Sequence, residues 1–81
     1  MNVAVQFYAQ LRDLAGISEL DIEVPSGATV NDLLQAVYQH APALRAQDKS
    51  ILIGSGVEFV DRGHTLTAGE TISIMPPVQG G

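Results

Sequence analysis

Residues 29–42 read TVNDLLQAVYQHAP and carry the clearest helix signal in the chain. Thr29 and Asp32 have the spacing of a capping box, in which each side chain bonds the other residue's backbone amide. Pro42 disfavours helical geometry in the residue before it, so we expect Ala41 to be the last helical residue. The apolar residues recur with helical spacing and predict one buried face: Val30, Leu33, Leu34, Val37, Tyr38 and Ala41.

Five short segments with strand patterns flank this helix, two before it and three after it. In the first segment, Val3, Val5 and Phe7 alternate with residues that would lie on the opposite face of a sheet. Gly- and Pro-containing turns separate the segments. The strands are predicted at residues 3–8, 19–24, 51–53, 57–60 and 71–75, with turns at Pro25-Ser26-Gly27, Gly54-Ser55-Gly56 and Ala68-Gly69.

The order β-β-α-β-β-β predicts an α+β roll in which one helix covers one face of the sheet. A short helical turn over residues 11–15, ended by Gly16, is expected between the first two strands. At 81 residues the chain can bury one modest core and form one domain. We expect this domain to comprise residues 1–75, followed by a projecting tail, residues 76–81.

The composition excludes several kinds of active site. The chain has no cysteine, which rules out disulfides, thiol nucleophiles and cysteine-ligated metals. His40 and His64 lie far apart in sequence with no paired acid, so we expect neither a metal site nor a catalytic one. Lys49-Ser50 lacks the preceding glycines of a phosphate-binding loop, and nucleotide binding is not expected.

Charge and hydropathy restrict the classes of molecule that the chain could bind. The net charge is −5 and no basic stripe is present, which argues against nucleic acid and suits a basic protein partner. No apolar run approaches membrane-spanning length, and the N-terminus lacks the basic and apolar regions of a signal peptide. We therefore expect a soluble, cytoplasmic protein without a membrane contact.

The chain ends in Pro76-Pro77-Val78-Gln79-Gly80-Gly81. The two prolines favour extended backbone and would direct the tail away from the last strand. Gly80 and Gly81 have no Cβ, so they could enter a slot too narrow for other residues. Six extended residues reach roughly 20 Å. The ending predicts that the carboxyl group of Gly81 is presented to another protein, which must also activate it.

Alternation places apolar side chains on the sheet face opposite the helix. If alternate residues of the first and last strands face the core, Tyr8 and Met75 point outwards at the C-terminal ends of these strands. If the two strands are parallel neighbours, both side chains lie beside the tail. Either Phe59 or Val60, whichever faces away from the helix, would extend the cluster, which predicts a docking surface.

Three stretches resemble the sulfur-carrying small subunits of molybdopterin synthase. They are VQFYAQLRDLAG at residues 5–16, L-x-x-G-E-x-I at residues 66–72 and PPVQGG at residues 76–81, and the similarity runs from end to end. The resemblance implies a ubiquitin-like β-grasp roll with a mixed sheet of about five strands covered by one main helix. It also implies partner contacts at Tyr8, Arg12, Phe59 and Met75, and it selects Phe59 over Val60.

The resemblance further implies a sulfur carrier in molybdenum cofactor biosynthesis that is not an enzyme on its own. An ATP-dependent activating enzyme would adenylate the carboxyl group of Gly81, and a sulfur-donor protein would convert it to a thiocarboxylate. The tail would then enter the large synthase subunit, within a heterotetramer, and give its sulfur to cyclic pyranopterin monophosphate. The carrier itself would hold no cofactor, since ATP is used by the activating enzyme.

Three other functions stay open. A sulfur carrier for the thiazole of thiamine would use the same terminal chemistry, although such carriers are usually shorter and lack the Pro-Pro stem. A ubiquitin-like modifier would be joined through Gly81 to lysines of target proteins. A plain adaptor would bind through the surface around Tyr8 and Met75 and would have no use for the tail.

Overall fold

The computed structural model describes residues 1–77, so the predictions for Gly80 and Gly81 concern residues outside this range. Within it, a five-stranded mixed sheet carries a long helix on one face. The strands are β1 (Asn2–Phe7), β2 (Glu19–Glu23), β3 (Leu52–Ser55), β4 (Glu58–Phe59) and β5 (Thr71–Met75); the helices are α1 (Gln10–Ala15), α2 (Val30–His40) and a 3₁₀ helix (Pro42–Gln47).

The strand order in the sheet is β2-β1-β5-β3-β4. The central strands β1 and β5 are parallel, with Val5 opposite Ile72, and the remaining neighbours are antiparallel. This confirms the predicted α+β roll and the parallel pairing of the first and last strands. Because β3 is antiparallel to β5, with Leu52 opposite Met75, β1 and β5 end where β3 begins. We call this the tail end of the sheet.

The core lies between α2 and the sheet. The inward side chains of β1 and β5 alternate with outward ones, and those of α2 recur at helical spacing, as the sequence predicts. Burial of each such aliphatic side chain is worth roughly 1.5–3 kcal/mol. The core residues with no exposed surface are Val3, Val5, Val30, Leu33, Leu34, Val37 and Ile72. No helix within residues 1–77 is long and apolar enough to cross a membrane.

The capping box at the start of α2 is formed as predicted. The Thr29 N–H donates to a carboxylate oxygen of Asp32 at 3.0 Å, and the Asp32 N–H donates to the Thr29 hydroxyl at 3.4 Å. The helix ends at His40, one residue earlier than predicted, with Ala41 as its C-cap. Pro42 then starts the 3₁₀ helix, which the sequence did not reveal because so short an element has no distinctive period.

The predicted turn at Gly54-Ser55-Gly56 is wrong. Strand β3 continues through Gly54 and Ser55, and Ser55 lies opposite Glu58 in β4. The connection is the pair Gly56-Val57, where Gly56 adopts φ +61°, a backbone conformation that favours glycine. Strand β3 therefore covers residues 52–55 instead of the predicted 51–53. Strand β4 covers only residues 58–59 of the predicted 57–60.

A polar cluster holds the start of β5, and it corrects the expectation that no acid pairs with His64. The Glu70 carboxylate accepts hydrogen bonds from the Ser55 hydroxyl and from the Thr67 N–H at 2.8 Å, and it lies 2.8 Å from His64 Nε2. Burial opposes ionisation of Glu70, but these hydrogen bonds outweigh it and lower the pKa of the carboxyl group. Within residues 1–77, no group of three or more histidine and acidic side chains could hold a metal ion.

A second cluster joins α2 to the segment that follows the 3₁₀ helix and to the loop that contains Arg62. The Tyr38 hydroxyl donates to Asp48, which also forms an ion pair with Arg62 at 3.0 Å. Burial and the bond to Asp48 raise the pKa of Tyr38, and the same bond lowers the pKa of Asp48. The Arg45 guanidinium lies 5.1 Å from the centroid of the Tyr38 ring, a cation–π distance. We assign the cluster a structural role, since its polar groups are hydrogen-bonded to, or ion-paired with, one another.

Candidate docking face and tail

The face of the sheet opposite α2 carries four apolar side chains near the tail end, which we call the apolar patch: Tyr8, Leu52, Phe59 and Met75. The Tyr8 N–H donates to the carbonyl of Ile74 at 3.2 Å, so Tyr8 continues the line of β1 beside the end of β5. Met75 is paired with Leu52 across the next strand. The register of a parallel strand pair and an antiparallel one thus brings together residues that are far apart in sequence.

The members of the patch differ in exposure. Phe59 is 69% exposed and Tyr8 is 44% exposed, whereas Met75 and Leu52 are half-buried. Val60 packs against the core instead, which places Phe59 and not Val60 on the outer face. An isolated exposed aromatic side chain is ordinary, but a contiguous apolar group on an otherwise polar face is typical of a binding surface.

Gly54 shapes the centre of the patch. It lies opposite Phe59 on one side and Ser73 on the other, and it is buried. A Cβ at this position would lie 3.2 Å from Met75 Cε, so the missing side chain lets Met75 lie across the strand. A groove of about 360 Å³ runs over this floor, bordered by Tyr8, Phe59 and Met75. Its dimensions suit apolar side chains of a partner.

Tyr8 is directed by a tight turn. The Leu11 N–H donates to the Tyr8 carbonyl at 3.1 Å, and Ala9 between them has φ 53° and ψ −134°. These angles are those of the first central residue of a type II′ turn, a position that favours glycine. The Tyr8 hydroxyl in turn donates to Gln6 Oε1 at 2.9 Å on the outer face. The turn therefore sets the direction in which the ring leaves β1.

Arg12 lies at the margin of this surface and not within it. It is exposed on α1 and lines a smaller cleft with Gln6, Ser18 and Glu19. Tyr8 borders both this cleft and the groove over Gly54, so the two are adjacent. A cation at the margin of an apolar surface suits a polar contact at the rim of an interface.

The tail starts directly beside the patch. Met75 is the last residue of β5, and Pro76 and Pro77 follow it without regular secondary structure. Pro76 is half-buried and Pro77 is exposed. The roles predicted for Gly80 and Gly81 lie outside the described residues and stay predictions, as does the division into a domain and a projecting tail.

Two residues of this surface were missed from the sequence. Leu52 faces outwards because it neighbours the buried Ile53 in β3, and alternation within the third strand would have identified it. Gly54 was assigned to a turn, although a glycine flanked by strand residues also marks a close approach between side chains and backbone. Alternation in the third strand could have identified both residues. They were missed because the turn was predicted at residues 54–56 instead of at Gly56-Val57.

Comparison with known proteins gives consistent matches. The model of the ThiS family matches residues 5–81. A molybdopterin synthase sulfur carrier subunit from Chlamydomonas reinhardtii is 31% identical over 83 residues, covering 100% of both chains. The crystal structure of SAMP1 from Haloferax volcanii, a small archaeal modifier protein, has a TM-score of 0.90 at 28% identity, again covering 100% of both chains.

A further match extends the structural likeness. A chain from the complex of subunits 1 and 2 of the molybdopterin-converting factor of Helicobacter pylori has a TM-score of 0.71 at 24% identity, with 100% of both chains covered. At this identity the likeness supports the fold alone. The fold, the end-to-end matches and the position of the patch beside the tail lead to one assignment. The chain belongs to the ThiS family and is a ubiquitin-like β-grasp sulfur carrier of the molybdopterin synthase type.

Proposed function

We propose that this chain carries sulfur as a thiocarboxylate on Gly81 and delivers it into the active site of a molybdopterin synthase large subunit. The observation that carries the proposal is the position of the apolar patch beside Pro76 and Pro77, at the point where the tail leaves the sheet. A partner that covers the patch would hold the tail at a fixed starting point and in one direction.

The chemistry requires activation from outside. A carboxylate is a poor electrophile because its oxygen is a poor leaving group, and the described residues form no nucleotide-binding loop. An ATP-dependent enzyme would join AMP to the Gly81 carboxyl group and release pyrophosphate. A sulfur-donor protein would then displace AMP and leave a thiocarboxylate. The carrier contributes no catalytic side chain to either step.

Recognition is the contribution of the folded domain. Phe59 and Tyr8 offer large apolar surfaces, the groove over Gly54 offers a recess, and Arg12 offers a charge at the margin. Exposed aromatic residues are the usual anchors of such interfaces. The Chlamydomonas reinhardtii relative is named as a sulfur carrier subunit of molybdopterin synthase. That name supports a large-subunit partner, and we propose that the two subunits form a heterotetramer.

The tail would serve as a narrow arm. Six residues extend roughly 20 Å, so the carboxyl group could reach a buried active site while the patch stays at the surface of the large subunit. There, the sulfur would pass to cyclic pyranopterin monophosphate. Gly80 would keep the arm slim next to the reacting group, because even a methyl side chain would widen it.

Deletion of Gly81 tests the proposal directly. We expect the truncated chain to form no thiocarboxylate and to support no molybdopterin synthesis with the large subunit, since the next carboxyl group is one residue short of the active site. Thermal unfolding should be unchanged, because the residue lies beyond β5. Gln79→Ala is the matched control, with full tail length and expected activity close to wild type. Sulfur transfer by the truncated chain at the wild-type rate would reject the proposal.

A second function has support from one match. The likeness to SAMP1 of Haloferax volcanii, at a TM-score of 0.90, favours a protein modifier joined through Gly81 to lysines of other proteins. Both functions begin with the same acyl adenylate and differ in the nucleophile that displaces AMP. Intact-mass measurement of the chain from cells separates them: a carrier shows one oxygen replaced by sulfur, and a modifier shows isopeptide adducts.

A further inference from the structure

Gly54 lies in the interior of the sheet, opposite Phe59 in β4 and Ser73 in β5. A glycine inside a strand weakens the fold, because it has no side chain to pack and loses more backbone entropy on folding than other residues do. Its φ is not positive, so the backbone of β3 would accept an alanine at this position. Within residues 1–77 the glycines with positive φ are Gly16, Gly27, Gly56 and Gly69. The backbone therefore gives no reason for a glycine at position 54.

The space above Gly54 is occupied by the end of the Met75 side chain. A Cβ on Gly54 would lie 3.2 Å from Met75 Cε, closer than the roughly 3.5–4.0 Å that two carbon atoms prefer. Its other neighbours would be the Glu58 carbonyl oxygen at 3.5 Å and Ser73 Cβ at 3.9 Å, which are ordinary contacts. Gly54→Ala would therefore displace the Met75 methyl group and little else. Because methionine is unbranched and has three rotatable side-chain bonds, this movement costs the fold little.

Displacement of this methyl group would narrow the groove of the docking face. The groove, of about 360 Å³, has Gly54 in its floor and is bordered by Tyr8, Phe59 and Met75. Two aromatic rings and a thioether favour a large apolar side chain as the occupant, because both kinds of group make close contacts with aromatic and aliphatic atoms. The groove lies where β5 passes into Pro76, so a protein that receives the tail would also cover it.

We propose that Gly54 is a positioning residue for docking of the large subunit: its missing side chain lets Met75 lie across β3, so that the groove can receive one large apolar side chain of that subunit. The inference rests on the function proposed above and extends it to the specificity of binding. Gly54 would act through Met75 and would take no part in the transfer of sulfur.

The proposal predicts opposite effects on folding and on binding. Gly54→Ala replaces a strand glycine by a residue that loses less backbone entropy on folding, so the midpoint of urea denaturation should stay the same or rise. The same variant should raise the Kd for the large subunit by about tenfold, the lower end of the usual effect of one methylene group in an apolar pocket. A residue with a purely structural role would lose stability and affinity together.

Isothermal titration of the full chain with the purified large subunit measures the Kd of wild type, Gly54→Ala, Met75→Ala and the double variant. In the Met75→Ala background the displaced methyl group is missing, so Gly54→Ala should weaken binding there by less than about twofold. Gly63→Ala is the matched control, because Gly63 also lacks a positive φ and a Cβ there would approach a side chain outside the groove, at 3.3 Å from Asp61 Oδ1. In sulfur transfer, Gly54→Ala should raise KM for the carrier and leave kcat close to wild type.

A measurement on the carrier alone tests the geometry without the partner. The chain has two methionines, so isotope labelling of the methionine methyl groups gives two NMR signals. We expect a nuclear Overhauser contact between the Met75 methyl group and the α protons of Gly54, and a shift of the Met75 signal in Gly54→Ala. The Met1 signal is the internal reference, since Met1 packs against the core.

Three outcomes would overturn the inference: wild-type affinity of Gly54→Ala, an equal loss of affinity in the wild-type and Met75→Ala backgrounds, or no contact between the Met75 methyl group and Gly54. Dimerisation of the carrier alone that Gly54→Ala abolishes would assign the groove to a second copy and would overturn it as well. Each of these results leaves the proposed function intact as long as the wild-type chain binds the large subunit. Absence of that binding rejects the proposed function, and the role of Gly54 falls with it.

Discussion

The same alternation along the strands produces both faces of the sheet, yet the two faces differ in their exposure to solvent. On the inner face, Val5 and Ile72 have no exposed surface beneath α2, whereas on the outer face Phe59 and Tyr8 stay 69% and 44% exposed. The inner side chains find their apolar neighbours within the chain. The outer ones do not, and we propose that a partner protein supplies them. The inner face stabilises the fold, and the outer face is the recognition surface that we propose.

The largest effect is expected on the inner face. Leu33→Ala removes a fully buried side chain of α2 and leaves a cavity, which should lower the free energy of unfolding by about 2–5 kcal/mol. Phe59→Ala on the outer face should change it by about 0.5 kcal/mol, because the ring is mostly in water already. Urea denaturation of both variants makes the comparison. A loss at Phe59 as large as that at Leu33 would show that the outer face belongs to the core.

The outer face should show its effect in binding. Phe59→Glu places a charge where we propose that the large subunit covers the apolar patch, and it should weaken binding by about tenfold to a hundredfold. Isothermal titration with the purified large subunit measures this, and unfolding reports on the fold. Leu14→Glu is the control, since Leu14 is 40% exposed on α1 outside the patch. Unchanged affinity of Phe59→Glu would remove this residue from the interface.

The inner face was predictable because its pattern is regular. The alternation of β1 and β5 and the helical spacing of α2 each identified the buried residues and the fold, and the capping box marked the start of the helix. The sequence also placed Tyr8 and Met75 together, given a parallel pairing of the first and last strands. That pairing is a property of the topology, and the sheet confirms it.

The hairpin of β3 and β4 was less predictable, for a physical reason. Gly54 and Gly56 are both candidates for a turn, and only the partners of Gly54 across the sheet show that it belongs to the strand. Because the turn was predicted two residues too early, the outward orientation of Leu52 was not recognised. The pairing of His64 with Glu70 was also missed, because it depends on a loop conformation that no period in the sequence encodes.

The inner face also carries one polar pair, Ser55 and Glu70, whose contribution to stability should depend on pH. Ser55 lies opposite Ile72 and donates to Glu70, whose pKa is lowered by its hydrogen bonds. A carboxyl group with a depressed folded-state pKa stabilises the fold above its unfolded-state pKa, and this contribution is lost as the pH falls through the folded-state value. We expect Glu70→Gln to cost about 1–2 kcal/mol at neutral pH and less in acid.

Urea denaturation of wild type and Glu70→Gln at neutral and acidic pH measures this difference. Glu58→Gln is the matched control, because it removes the same charge from an exposed glutamate in the neighbouring strand β4. A difference between wild type and Glu70→Gln that stays constant from neutral to acidic pH would contradict the role of the ionised carboxylate.

The smallest effect is expected at Ala9, in the turn that follows Tyr8 and leads into α1. Its φ of 53° is strained for alanine and relaxed for glycine. Ala9→Gly should therefore raise the free energy of unfolding by about 0.5–1 kcal/mol, the relief of strain exceeding the entropy that glycine loses. The same replacement inside α2, Ala36→Gly, should lower it by about 1 kcal/mol. Thermal and urea unfolding measure the free energy of unfolding of both variants. A loss of stability in Ala9→Gly would mean that the turn is not strained. The direction of Tyr8 would then be set by its contacts on the outer face.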